Sequence, residues 1–194
     1  MRVTLVHSRP IFRTRTYADR MSDLARFLPL SHRPADDATA SSDRRSQIAA
    51  VLALAAAVLQ AAPHHRRDAF VREAGLSSED GGGSLSELAD TVATGRRRSI
   101  RELTAVCRAY LTLPGERAPL PFDAAGAVAL ASSATAPFDR RAAIGGHTVR
   151  ASDAGWTFGR GPEISASADE IVAFLTGVSD TPPRRTPPDR RPVS

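Results

Sequence analysis

The sequence predicts an α+β protein: helical segments over roughly residues 15–112, then a small α/β domain over 120–178. Three observations carry that expectation. Apolar residues recur at helical spacing through the first part, Ser–x–x–Glu capping boxes mark helix starts, and residues 146–178 alternate and turn as strands do before a last helix.

Residues 1–14, with Val3 and Leu5 followed by Arg and Pro10, fit a short edge strand or a disordered end. Tyr17, Met21, Leu24 and Leu28 share one helix face, which Pro29 ends, and residues 31–42 form a polar loop. An Ala-rich helix beginning near Asp43 includes the apolar run Ile48–Ala62 and stops at Pro63. That run has 15 residues, fewer than the roughly 20 needed to cross a bilayer, so it reads as a buried helix and no membrane partner is expected. A weaker helix from His64 ends at Gly75, and Ser77–Gly83 is a flexible loop.

Capping boxes at Ser84–Glu87 and Ser99–Glu102 open two helices, joined by Gly95 and a basic turn, Arg96–Arg98, expected to be solvated. In such a box the Ser hydroxyl takes the amide three residues on, and the Glu carboxylate returns to the Ser amide. Ile100, Leu103, Val106, Cys107, Tyr110 and Leu111 form one apolar face. Pro114, Pro119 and Pro121 exclude a helix over 113–121, the best domain boundary. Asp123 is expected to cap a short helix running to about Ala134. Strands are expected at His147–Ser152, Trp156–Phe158 and Glu163–Ala166, with turns at Asp153–Gly155 and Gly159–Pro162. A capping box at Ser167–Glu170 then starts a helix closed by Gly177, and the Pro/Arg-rich stretch 179–194 is expected to be disordered.

All 26 basic residues are Arg, which fits a GC-rich coding bias, and the net charge of +5 is moderate for this length. A nucleic-acid partner is therefore disfavoured in spite of the basic balance. The single cysteine excludes an intrachain disulfide and fits a reducing compartment, so a cytoplasmic location is expected.

The string Ala151–Gly159 with Trp156, then Gly161–Pro162, Ala168 and Leu175-Thr-Gly177, resembles the C-terminal domain of the mycothiol-dependent maleylpyruvate isomerase family. Pro137–Arg141 is similar to that family's approach to the first strand, and Val178 stands where a final Arg is usual. The resemblance implies a DinB-like helical bundle before this domain, a divalent metal held by bundle histidines, and mycothiol as a small-molecule thiol. It aligns Leu54 and Cys107 with the two His positions and Tyr110 with an Asp, so the expected ligands are lost or altered. Cys107, His64 and His65 remain as candidate metal ligands. The expected function is a metal-assisted, thiol-dependent isomerase or transferase, with its metal ligands lost if that alignment holds. The alternatives are a non-catalytic ligand-binding or protein-interaction module, and a basic nucleic-acid binder.

His64 and His65 are adjacent, so on a helix their side chains diverge by about 100° and share an ion poorly. Cys107 lies on an apolar face and reads as a small core residue unless a cation lowers its pKa. His7, His32 and His147 have no partner at ligand spacing. Trp156 reads as a core anchor, and Gly159–Pro162 lacks the Lys-Ser/Thr pair of a phosphate loop.

Overall fold

The three capping boxes form where the sequence places them, and they start three of the helices. A computed structural model of the chain describes residues 43–76 and 83–185. The expected strand before residue 14, the Thr16–Leu28 helix, the loop at 31–42, most of the Ser77–Gly83 loop and the last part of the tail lie outside the described residues. Residues 1–41 and 42–194 are separate units, and everything below concerns the second.

Seven helices and a four-stranded sheet make up the described residues, an α+β arrangement. Helix α1 (Arg45–Leu59) buries Ile48, Val51, Leu52, Ala55 and Leu59, a 3–4 spacing that lays one stripe along its neighbours. Arg44, at its N-cap, has no side-chain cap. The Asp43 carboxylate does that work instead, accepting from Arg45 N at 3.2 Å and from Arg98 N at 3.3 Å. Helix α2 (His64–Glu73) follows Pro63 and buries only Phe70. Helices α3 (Leu85–Thr94) and α4 (Ile100–Leu111) each begin at a complete capping box.

Between α4 and α5 (Phe122–Thr135) the proline segment is tied down through its second half. The Tyr110 hydroxyl donates to Ala118 O at 2.7 Å, and Leu120 N donates to Asp169 Oδ1 at 3.0 Å. One apolar cluster runs from Ile48 through Tyr110 and Val128 to Leu175, so the helices before this segment and the α/β part after it share a core. Asp123 is not the cap of α5: Pro121 holds that position, and Asp123 sits in the first turn, where its carboxylate accepts from Gln47 Nε2 at 3.1 Å. A short helix, α6 (Phe138–Ile144), for which no element was expected, leads into the first strand. Its apolar signal was too small to read, because Ile144 is its single buried residue.

Strand β1 (Thr148–Ala151) pairs antiparallel with β2 (Thr157–Gly159) and parallel with β3 (Glu163–Ala166). Helix α7 (Ala168–Thr176) follows, and the sheet order is β2-β1-β3-β4. Strand β4 (Arg184–Arg185) corrects the expectation that disorder begins at residue 179. The Arg140 guanidinium reaches Phe174 O, Ser179 O and the Asp180 carboxylate, and so draws residues 179–180 against α6 and α7. Pro183 is then buried and the next two residues pair with β3. Tail residues beyond 185 lie outside the described residues.

Gly161 explains the tight turn between β2 and β3. Its φ is +123°, a region L side chains rarely adopt, and a Cβ there would strike the Gly146 carbonyl oxygen.

Candidate functional site

Two concavities flank helix α5, and neither contains the candidate metal ligands Cys107, His64 and His65. The first is a cleft of about 400 Å³ bounded by the end of α2, by α4 and α5, and by the end of α7. Ile100, Ala105, Ala131 and Leu175 give it apolar lining, and Arg101 and Arg108 stand on its α4 side. The spacing of these two arginines, seven residues, repeats the helix face after two turns and separates their Cα atoms by about 10 Å along the axis. Neither guanidinium has a hydrogen-bond or ion-pair partner among the described residues. Thr104, Thr135 and Thr176 also line the cleft, but each hydroxyl donates to a carbonyl of its own helix. Their remaining capacity is to accept. Among the cleft's lining side chains, the donors without a partner among the described residues are the two guanidinium groups and the Ser132 hydroxyl. Glu73, at the cleft margin, is the one carboxylate of the lining.

The second concavity, about 360 Å³, lies between α5 and the β1–β2 hairpin. Phe122, Leu130, Trp156 and Phe158 border it. The Trp156 and Phe158 rings stack with centroids 6.0 Å apart. Trp156 is half-buried rather than a full core anchor, and its indole packs on Gly126, where an added Cβ would come within 3.3 Å of Cδ1.

The candidates drawn from sequence are placed apart from both. His64 and His65 are exposed at the first turn of α2. Cys107 is fully buried on α4, and burial, followed by the nearby Asp169 and Asp123 carboxylates, pushes its thiol up to about 12. A ligand or nucleophile needs the thiolate, which a cation would favour; the charges near Cys107 have the opposite sign. Leu54 packs against the core, and Tyr110 is buried with its hydroxyl committed to Ala118 O. Among the described residues, no group of three or more His, Cys, Asp or Glu side chains is arranged to hold a metal ion. The divalent ion that the motif resemblance implies thus finds no such set of ligands among the described residues. His147 keeps a local role, its Nδ1 lying 3.0 Å from Gly145 O.

In the basic turn Arg96–Arg98, Arg96 and Arg97 are exposed as expected of a solvated end, but Arg98 is not. Arg98 is 3% exposed and bonds Glu102 Oε1 at 3.0 Å. Glu102 also accepts from Arg96 Nη2 at 2.6 Å and from Ser99 N at 2.8 Å. Burial raises this carboxyl, but the bonds from Ser99, Arg96 and Arg98 outweigh burial and hold it at about 2. The run therefore fastens α4, and Arg101 and Arg108 on the same helix are the arginines left to bind. Sequence reasoning missed them because a lone exposed Arg carries no motif.

Comparison of the chain with protein-family models, with curated proteins and with solved structures gives no match. No helix among the described residues is long and apolar enough to cross a membrane.

Proposed function

We propose that this protein is a non-catalytic, ligand-binding relative of the mycothiol-dependent maleylpyruvate isomerase family, and that the cleft beside α4 holds a small amphipathic organic anion. The carrying observation is the pair of guanidinium groups, Arg101 and Arg108, without a partner among the described residues and set beside an apolar wall in a concavity of about 400 Å³. Arg donors meet a carboxylate with charge-assisted hydrogen bonds, while Ile100, Ala105 and Leu175 take the ligand's apolar body. The kinship rests on the motif string at 151–177, which falls on the β1–β2 hairpin, β3 and α7.

Calorimetric titration with aliphatic and aromatic monocarboxylates, each beside its uncharged amide, tests the reading. Carboxylates are expected to bind and amides to bind poorly, and Arg101→Ala with Arg108→Ala to weaken carboxylates by about tenfold or more. Equal binding of acid and amide, or no binding of either, removes the anion site.

A catalytic reading, the metal-assisted isomerase or transferase, is favoured by the same motif string. Its signature would be about one divalent ion per chain, lost on replacing His64, His65 or Cys107. Elemental analysis of the purified protein separates the two.

A further inference from the structure

We infer that the groove between α5 and the β1–β2 hairpin is a second binding site, for an organic ammonium ion. Three large apolar side chains are left exposed among the described residues, and two of them, Phe122 (68%) and Leu130 (61%), border this one groove. Apolar groups gathered at one exposed concavity mark a place that something else covers. With Gly126 they fall on one face of α5, four residues apart, whereas Ala131, Ser132 and Thr135 line the anion cleft from other faces. The two sites are thus separate.

The lining selects the charge of the ligand. Three aromatic rings, those of Phe122, Trp156 and Phe158, border the groove, and aromatic faces are negative. Its one ionisable group is Asp123, whose carboxylate accepts from Gln47 Nε2 and has no cationic partner among the described residues. A neutral apolar ligand would cover that exposed carboxylate with only the Gln47 amide to compensate for lost water, and an anion would be repelled by it. A bare metal ion would find one carboxylate and no second carboxylate, His or Cys side chain in the lining. An alkylated ammonium carries its charge inside an apolar envelope, which both the rings and Asp123 favour. Gly126 keeps the floor low, because a side chain there would press on the indole.

The chain has one tryptophan, and it lines this groove, so intrinsic fluorescence reads the site directly. Choline chloride is titrated beside 3,3-dimethylbutan-1-ol, the same shape with carbon in place of the ammonium nitrogen. The expected result is a saturable change in Trp156 emission, with choline bound about tenfold more tightly than the alcohol. Asp123→Asn, which keeps a carbonyl for Gln47, and Phe122→Ala, at an exposed position, should each abolish that preference or weaken binding about tenfold. Melting temperature and carboxylate titration of the other cleft should be unchanged. Equal affinity for choline and the alcohol, a linear unsaturable response, or an Asp123→Asn variant that binds choline as the parent does would each overturn the site.

Discussion

Arg98 Nη1 lies 3.0 Å from Glu102 Oε1, one turn along α4, and the guanidinium is almost wholly buried. The same carboxylate closes the Ser99 capping box, so a single ionised group serves the helix start and the buried cation together. Because the folded pKa, about 2, lies below the ordinary 4.5, the folded state favours the ionised form. That stability is fully present above about pH 4.5 and is lost as pH falls through about 2. Glu102→Gln should lower stability at neutral pH by on the order of 2 kcal/mol and flatten the acid limb of a urea-melt series against pH. An unchanged acid limb in the variant would mean that another carboxylate governs it.

Cys107 should be inert in the native protein. Its thiol, raised to about 12, stays protonated at pH 8 and is enclosed. Ellman's reagent is expected to find one thiol per chain in denaturant and essentially none without it. Rapid native labelling would show that α4 opens easily and would return Cys107 to the list of reactive groups.

Gly161→Ala is expected to destabilise the protein by about 1–3 kcal/mol. A Cβ at that residue meets the Gly146 carbonyl oxygen, backbone that cannot swing away as a side chain would. Gly75→Ala is the control: its φ is also positive, but nothing lies within 4 Å of the added carbon. If the two variants melt alike, backbone conformation alone accounts for the effect and the close approach does not.

Arg140→Ala should release residues 179–185 from the sheet. The guanidinium holds Phe174 O, Ser179 O and Asp180 and lies 5.2 Å from the Phe174 ring, so its loss leaves the tail with only the Ser179 N bond to Ala173 O, Pro183 burial and the short pairing with β3. Faster amide exchange in residues 179–185, with that of α1 unchanged, is the expected result, together with a stability loss of about 2 kcal/mol. Exchange that accelerates everywhere would indicate a general role in the core.

Much of the fold was legible because its signals are local. Capping boxes need four consecutive residues, and the hairpin turn needs Asp153–Gly155, so Ser84, Ser99 and Ser167 open helices as read. What escaped depends on distant partners. Asp123 looks like a cap until Gln47, 76 residues away, is seen to take its carboxylate. Arg184 and Arg185 look like tail until Arg140 is seen to hold Ser179 and Asp180 and β3 to pair with the two arginines. The sites were the least legible part. Arg101, Arg108, Phe122 and Leu130 gain meaning only from the concavities they border, whereas His64, His65 and Cys107 stood out by residue type.

Helix α7 has nine residues, a length that in isolation would scarcely persist in water. At its start, Ala168 N donates to Asp153 Oδ1 at 2.7 Å, from the turn of the hairpin, and Ser167 N to Glu170 Oε2 at 2.9 Å. At its finish, Arg140 from α6 takes the Phe174 carbonyl, and Gly177 turns the chain with a φ of +85°. Fraying begins where end groups are unpaired, and here both ends are clasped by chain lying outside the helix. Its amides should therefore be released to solvent exchange only by the opening that unfolds the hairpin as well, making this short strut one of the slowest parts of the molecule to breathe.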